Sequence, residues 1–442
     1  MQSARKLCLG VAGASVVLLA AGLVVGNASL WQPAAVAASV GLAIGLGGVP
    51  TLRTYQFTAW IVAAVVTAMI YPGFLQNFSP DNPARPNNKW VMLIIVQLVM
   101  FGMGTQMSLR DFAELGHNSW AVAIGVLLQF SVMPLLGYGL AIAFGFSPEV
   151  AAGIVLIGSC SSGLASNVMT YLANANLALS IALTAAGTLL APITTPFWMY
   201  VLAGDKVPVD FVGMMLQIIK IVIAPIGAAL LHDYLKRATP TGQRIVALFA
   251  AVGVAWLVTL KLGGWSYVAR ELHGNALAAF GIVGFLWAAV VAGTLFHVLW
   301  RLFPRVEARM PLFSMFGIIF FTAITTATGR DELLHIGKLL ICVSILHNLC
   351  GLVLGYWLAR AFGLDEKAAR TVALEVGIQN GAMASGLASE MSKLGTVGLA
   401  PAVFSPWQNV SGSILANYWR KRPIESDDSP PDAAARNERD PD

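Results

Sequence analysis

The sequence has few charged residues. Asp, Glu, Lys and Arg make up 11% of its 442 residues, whereas about a quarter of the residues of a soluble domain are charged. Hydrophobic residues make up 57%, and the mean hydropathy is +0.73. This composition excludes an ordinary soluble enzyme and indicates a chain that resides in a lipid bilayer.

The sequence also lacks the motifs of several functional classes. Its four cysteines lie in apolar runs without a C-x-x-C pair, which argues against disulfides and cysteine metal sites. It has no H-E-x-x-H, G-x-S-x-G or G-x-x-x-x-G-K-[ST] motif, so an enzyme is not expected. The sequence has no cluster of Lys and Arg with interleaved aromatic residues, so nothing suggests that it binds nucleic acid. The basic excess of the loops is better explained by anionic lipid.

The apolar residues fall into fourteen segments, each long enough to cross a bilayer core of about 30 Å as a helix. The connections are short and carry most of the charge, Pro and Gly, which predicts an all-α polytopic membrane protein with about fourteen transmembrane helices. The segments are 7–26, 33–50, 54–71, 90–108, 118–145, 149–173, 176–202, 209–233, 244–262, 274–302, 311–329, 334–361, 367–391 and 394–419.

The basic residues of the connections predict the orientation. Placing the N-terminus in the cytoplasm puts sixteen Lys and Arg residues on that side and eight on the other, in agreement with the positive-inside rule. Both termini are therefore expected in the cytoplasm, and the expected location is a bacterial inner membrane. The first segment has an alternative, because Arg5 and Lys6 before an apolar run also resemble a cleaved signal peptide. The polar tail 423–442 is expected to be disordered.

One internal repeat stands out at an offset of 218 residues. Residues 136–163 and 354–381 align without gaps and are identical at eleven of 28 positions. The copies lie seven predicted helices apart, so they enter the membrane from opposite sides. Inverted-topology repeats are typical of secondary transporters, whose substrate and ion sites lie at the repeat interface. A duplicated packing unit without a site is the alternative.

Helix-breaking residues occur at the same place in both copies, at 158–163 (GSCSSG) and 377–381 (GIQNG). Non-helical backbone at membrane depth is tolerated only where protein or a water-filled cavity satisfies it. The pattern predicts two discontinuous, crossing helices. Their half-helix N-termini would offer positive dipole ends to an anion, and freed carbonyls would suit a small cation. A simple kink in each helix is the alternative.

Glu375 is predicted to be the only carboxylate near the middle of the membrane. Such a group costs about 2.5–3.5 kcal/mol to insert, so a partner is expected. A structural pair with Lys220, the only basic residue within an apolar segment, is one interpretation. A bound cation is favoured, because Glu375 precedes Gln379 and Asn380 at a helix break. The uncharged stretch 150–204 adds oxygen ligands, namely Ser166, Asn167, Thr170, Ser180 and Thr184.

Several runs of residues resemble the bile acid:sodium symporter family. They are FGMG (101–104), GSCSSGLASNVMTYLANANLALSIALT (158–184), TLLAPITTP (188–196), EVGIQN (375–380) and FSPWQNVSGS (404–413). The resemblance covers roughly 55–235 and 311–420. It implies a sodium-coupled secondary transporter of an organic anion, in which a core domain with crossed broken helices moves against a panel domain.

The resemblance also implies two sodium sites and a substrate site. The first sodium site would use Ser166, Asn167, Ser180, Thr184 and Glu375. The second would use Gln129, Glu375, Gln379 and backbone oxygens of Val376 and Ile378. The substrate positions would be Asn380, Asn409, Gln408 and Leu164.

The substrate positions depart from the family pattern. Leu164 stands where Thr is usual, Gln408 stands where the W-H-N motif has His, and Gly381-Ala382 replaces Ser-Gly. These departures leave the choice of anion open, since family members also carry pantothenate, pyruvate and other organic anions. Proton coupling through Glu375, a membrane enzyme and a ligand sensor using the same pocket are the alternative functions. The sequence does not predict the oligomeric state.

Compared with ten-helix bacterial members of the family, the chain has two additional helix pairs. The expected division is an extra pair (1–53), the start of panel and core (54–109), the first core repeat (110–203, broken at 158–167), a panel helix (208–235), an inserted pair (236–310), a panel helix (311–333), the second core repeat (334–422, broken at 377–381) and a cytoplasmic tail (423–442).

Overall fold

The computed structural model describes residues 2–49, 52–113, 119–422 and 424. It is all-helical, with 84% helix, and its described residues form no strand. The predicted disordered tail 423–442 lies outside the described residues, apart from position 424.

Twenty α-helices follow one another along the described residues. The first seven are α1 (Gln2–Val25), α2 (Ala28–Leu46), α3 (Gln56–Ile70), α4 (Pro72–Gln76), α5 (Asn88–Gly104), α6 (Leu109–Ala113) and α7 (Ser119–Ala143). The next seven are α8 (Pro148–Ser159), α9 (Leu164–Leu172), α10 (Leu177–Trp198), α11 (Phe211–Ile218), α12 (Ala224–Arg237), α13 (Pro240–Thr259) and α14 (Trp265–Glu271). The last six are α15 (Gly274–Leu302), α16 (Arg305–Thr328), α17 (Arg330–Ala361), α18 (Glu366–Gly377), α19 (Gly381–Glu390) and α20 (Leu399–Arg420).

Many of these helices are long and apolar enough to cross a membrane. Nine spans in the described residues meet that condition, and α3, α5 and α8 are shorter apolar helices. A polytopic membrane protein is therefore confirmed, while the count of fourteen transmembrane helices stays a prediction. Three spans contain a π-helical turn that the sequence analysis did not predict, at Met199–Ala203, Ile219–Ile223 and Leu260–Gly264.

The helices around the predicted sites form two packed groups. In one, which we call the α5 group, α5 and α16 pack together, α3 packs on α16, and α12 with the π-helical turn before it packs on α5. The other, the α18 group, comprises α7–α10 and α17–α20, with close packing of α7 on α8 and of α17 on α7, α18 and α20. The N-terminal helices α1 and α2 pack against each other, and α15 packs on α12 and α13.

Both predicted helix breaks are present. The first begins after Ser159 and ends before Leu164, and the second lies between Gly377 and Gly381. The two extended segments meet, because Ser162 and Gln379 form an isolated antiparallel β-bridge. The Asn380 N–H donates to Ser161 O at 2.8 Å. Each broken segment therefore satisfies part of the backbone that the other leaves free.

Candidate functional site

Glu375 lies at the point where the second broken helix approaches α10. It is in the last turn of α18, and only 2% of its surface is exposed. Ser162 Oγ and Ser180 Oγ each donate to its carboxylate at 2.5 Å, and Thr184 Oγ1 lies 3.2 Å from Oε2. Among the described residues, Glu375 forms no ion pair. Its contacts are therefore neutral hydroxyl groups.

Helix periodicity explains why these groups face one another. Ser180 and Thr184 are four residues apart on α10, and Thr371 and Glu375 are four residues apart on α18, so each pair shares one helix face. Asn176 caps the start of α10, and its N–H donates to Thr371 Oγ1 at 2.9 Å. This bond fixes α10 to α18 one turn before Glu375.

The cluster has more acceptor oxygens than protons to share among them. Ser180 Oγ lies 2.7 Å from Asn167 Oδ1 as well as 2.5 Å from Glu375 Oε1, and Thr184 Oγ1 is within 3.4 Å of three such oxygens. Each hydroxyl has only one proton to donate. The converging lone pairs and one carboxylate are the ligand type that hard cations prefer.

The residues predicted for the first ion site therefore come together, with one addition. Ser166 is fully buried, and its Oγ donates to Gly163 O at 2.7 Å within the first break. Ser162 was not among the predicted ligands, although it lies in the GSCSSG segment. Its position as a polar residue of the first break, where the two breaks meet, is the signal that could have identified it.

The predicted second site is also partly assembled. Gln129 Nε2 donates to Gln379 Oε1 at 2.9 Å and to Cys160 O at 3.0 Å, and Gln379 Nε2 donates to Val376 O at 2.6 Å. Ile378 lies between them in extended backbone. Gln129 Oε1 is a buried acceptor without a hydrogen-bond partner among the described residues. An unpaired buried oxygen of this kind is compatible with a cation ligand.

The predicted substrate residues have other partners. Asn380 caps α19 through Met383 N (3.0 Å), and Asn409 Nδ2 donates to Ser405 O of its own helix (2.8 Å). Gln408 bonds the backbone of Gln379 twice, accepting from its N–H at 2.7 Å and donating to its carbonyl at 2.9 Å. Leu164, at the start of α9, packs against the main hydrophobic core. None of these four residues lines the small cavity beside the second break.

This small cavity lies between the two helix groups. Its volume is about 10 Å³, which leaves room for one water molecule at most. The two groups are therefore in close contact around this cavity. The lining residues carry no charge and are Val96, Val99, Gly317, Ile318, Phe321, Thr322, Gly381, Ala382, Ser385 and Ser405.

The alternative pairing of Glu375 with Lys220 is wrong. Lys220 Nζ lies 2.5 Å from Glu390 Oε2, at the C-terminal end of α19. The prediction that Lys220 is the only basic residue within an apolar segment is also wrong. Arg370 is 7% exposed on α18 and pairs with Glu366 at 2.8 Å.

The chain is similar in sequence to a known family of proteins and to several of its members. Residues 93–269 match the model of the sodium bile acid symporter family. YocS of Bacillus subtilis, described as an uncharacterized sodium-dependent transporter, is 31% identical over 83% of this chain and 91% of its own length. A probable chloroplastic sodium/metabolite cotransporter of rice, BASS2, is 26% identical over 85% of this chain and 73% of its own. The human ileal sodium/bile acid cotransporter is 28% identical over 74% of this chain and 78% of its own.

These similarities confirm the resemblance found in the motifs and agree with the apolar helices of an integral membrane protein. They also confirm that an enzyme was not to be expected, because the family consists of sodium-coupled transporters. The chain belongs to the sodium bile acid symporter family.

Proposed function

We propose that the protein carries an organic anion across the membrane together with sodium ions. The observation that supports this most strongly is the cluster around Glu375, where a buried carboxylate meets only neutral oxygen groups. A buried charge without a counter-ion is strongly unfavourable. Sodium would supply that counter-ion, and the relatives described as sodium-dependent support this choice over other cations.

Two sodium ions would bind in this proposal. The first would lie among Ser166, Asn167, Ser180, Thr184 and Glu375, with Ser162 as a further ligand. It would draw α9, α10 and α18 together, because each of these helices provides oxygen atoms.

The second ion would lie near Gln129 and Gln379, with Glu375 and the backbone oxygens of Val376 and Ile378. Gln129 belongs to α7, and Gln379 belongs to the second break. Binding there would fix the position of the break relative to α7, and through it the start of α19.

The anion would bind beside the start of α19 once the small cavity opens. Asn380, Gly381 and the first N–H groups of α19 lie there, and a helix N-terminus favours a negative group. Asn409 would join if its amide turned from Ser405, while Leu164 and Gln408 would shape the surroundings. A bile acid and a smaller carboxylate are both compatible with the relatives' names.

Transport would require the α18 group, as core, to move against the α5 group, as panel. The two groups are in contact beside the second break, and an open state would expose the anion site on one side of the membrane. Ion binding drives such a change only if the ions bind the two states unequally. The inverted repeat supports a pair of related states. The added helices α1, α2 and α13–α15 lie outside both groups as defined here. The cell membrane of a bacterium, with both termini in the cytoplasm, is the proposed setting.

The experiment is uptake of labelled cholate, pantothenate and pyruvate into proteoliposomes. The proposal expects accumulation of one of them with an inward sodium gradient, and loss of accumulation when choline or K⁺ replaces Na⁺ at fixed pH. Proton coupling is the second candidate, because Glu375 with its two short hydroxyl contacts is also a site for a proton. Uptake that follows a pH gradient and ignores the replacement of Na⁺ would support that candidate and reject sodium coupling.

A further inference from the structure

Lys220 lies on the π-helical turn between α11 and α12, facing the α18 group. Such turns are often found at functional sites. The wider turn frees the Lys220 carbonyl, which accepts from Gln97 Nε2 at 3.0 Å. The side chain is 13% exposed and lies 5.6 Å from the ring centroid of Phe285, a residue of α15. The backbone of Lys220 is thus held by Gln97, and its ammonium lies beside an aromatic ring.

Glu390 is the partner of Lys220 across the boundary between the two helix groups. Their side chains meet at 2.5 Å, and this is the only ion pair between the groups among the described residues. Glu390 ends α19, where the helix dipole favours a cation nearby. The ammonium is thus matched to both the carboxylate and the end of the helix.

The ion pair lies beside the small cavity. Ser385 lines that cavity and is five residues before Glu390 on α19, a rise of about 7.5 Å at 1.5 Å per residue. Position 386 packs against Val96, another lining residue, and against Ile221, the neighbour of Lys220. Because the lining residues carry no charge, Lys220 is a cation that an anion would meet on entering between the groups at this end. Lys89 of α5 also lies at this end, where its Nζ bonds Ser392 Oγ at 3.3 Å, but it is exposed.

We propose that Lys220 binds the anionic group of the substrate as it enters between the two helix groups, before that group reaches the start of α19, and that Glu390 pairs with Lys220 when the two groups are packed together. This inference rests on the proposed function. When α19 moves away with the α18 group, Glu390 would leave a partly buried ammonium without a counter-ion, which is unfavourable. The carboxylate of the substrate would replace Glu390, so one anion exchanges for another at the same cation.

This exchange gives the inserted helix pair a role in the site. Phe285 belongs to α15, and its ring lies within the range in which a cation and an aromatic face attract each other. The ring would hold Lys220 in position while its anionic partner changes. A neutral substrate would gain nothing from this site, since it would leave the ammonium unpaired.

The test measures the KM for whichever of cholate, pantothenate and pyruvate the wild-type protein takes up with sodium. Lys220→Met is expected to raise that KM about tenfold, equivalent to about 1.4 kcal/mol, and Lys220→Arg to retain most of the affinity. Glu390→Gln is expected to lower the KM, because it removes the competing carboxylate. The sodium concentration for half-maximal uptake should stay within about twofold in each variant, since neither residue contacts the Glu375 cluster.

Lys261→Met is the matched control, because Lys261 also lies on a π-helical turn of a membrane-spanning helix but is exposed. Its KM should equal that of the wild type. If the Lys220–Glu390 pair only held the two groups together, Lys220→Met and Glu390→Gln would change KM in the same direction or not at all, which would overturn the inference. If Lys220→Met does not fold, Glu390→Gln alone decides the question. An unchanged or raised KM in Glu390→Gln would then overturn the inference. A wild-type protein that takes up none of the three anions contradicts the proposed function itself.

Discussion

Glu375 and Glu390 lie on the two halves of the same broken helix, but they are neutralised in different ways. Glu375 is 2% exposed and contacts hydroxyl groups, whereas the Glu390 side chain is 20% exposed and pairs with Lys220. A carboxylate that pairs with a cation of the protein needs no bound ion to balance its charge. The difference supports the two proposals, that Glu375 receives a cation from outside the chain and that Glu390 releases Lys220.

The largest expected effect follows from Glu375→Gln. The amide has nearly the shape of the carboxylate, and its NH₂ would supply protons to a cluster that has too few. Sodium-driven uptake should fall by at least about 100-fold, which corresponds to about 2.7 kcal/mol. In a thermal unfolding assay the variant should be folded without sodium and should no longer be stabilised by it.

Glu390→Gln is the matched control for that experiment. It removes a carboxylate from the other half of the same helix, where Lys220 is the partner. Stabilisation by sodium should be retained. Loss of the sodium response in both variants would contradict the distinction between the two carboxylates.

A smaller effect is expected from Ser180→Ala and Ser162→Ala. Each change removes one oxygen that contacts Glu375, and the loss of such a contact to a charged group is worth about 1.5–3 kcal/mol. The sodium concentration for half-maximal uptake should rise about tenfold or more, while the KM for the anion at saturating sodium changes little. Ser131→Ala is the control, because its hydroxyl bonds only the carbonyl of Leu127 in its own helix. An equal response of the control would show that the effect is not specific to the site.

Gln408→Leu tests whether the second break depends on a side chain outside both ion clusters. The change leaves the N–H and carbonyl of Gln379 without their partner, a loss of about 1–3 kcal/mol for each buried group. The thermal midpoint should fall, and the half-saturating sodium concentration should rise more than the KM for the anion. A change in the KM alone would instead place Gln408 in the anion site.

The smallest effect is expected at the ion pair between Glu149 and Lys393, which joins the start of α8 to the segment after α19. Their side chains are 37% and 30% exposed, and exposed pairs contribute about 0–1 kcal/mol. Lys393→Ala should therefore leave uptake and its dependence on sodium nearly unchanged. A strong loss of uptake would mean that exposure does not separate the functional charges from the structural ones.

The sequence was sufficient to predict the parts of the site that depend on local composition. Ser, Gly and Asn at membrane depth predicted both helix breaks, and their limits agree with the structure to within about two residues. The motif resemblance brought Asn167, Ser180 and Thr184 together with Glu375. Of these, Ser180 and Thr184 are four residues apart on α10, so their common face can be read from the sequence.

Other contacts could not be predicted, because they depend on how distant helices pack. Lys220 and Glu390 are 170 positions apart, and only the packing of α19 on the π-helical turn brings them together. The partner of Gln408 is a backbone group rather than a side chain, so no motif indicates it. The π-helical turns arise where a regular helix was expected, and they change which residues face the neighbouring helices.

The most direct test of the account is anion-dependent uptake of ²²Na⁺ into proteoliposomes that contain either the wild-type protein or Glu375→Gln. The account predicts that the transported anion increases ²²Na⁺ uptake by the wild type and has no effect on the variant. Equal anion-dependent ²²Na⁺ uptake by both proteins would contradict the claim that Glu375 binds the coupling ion.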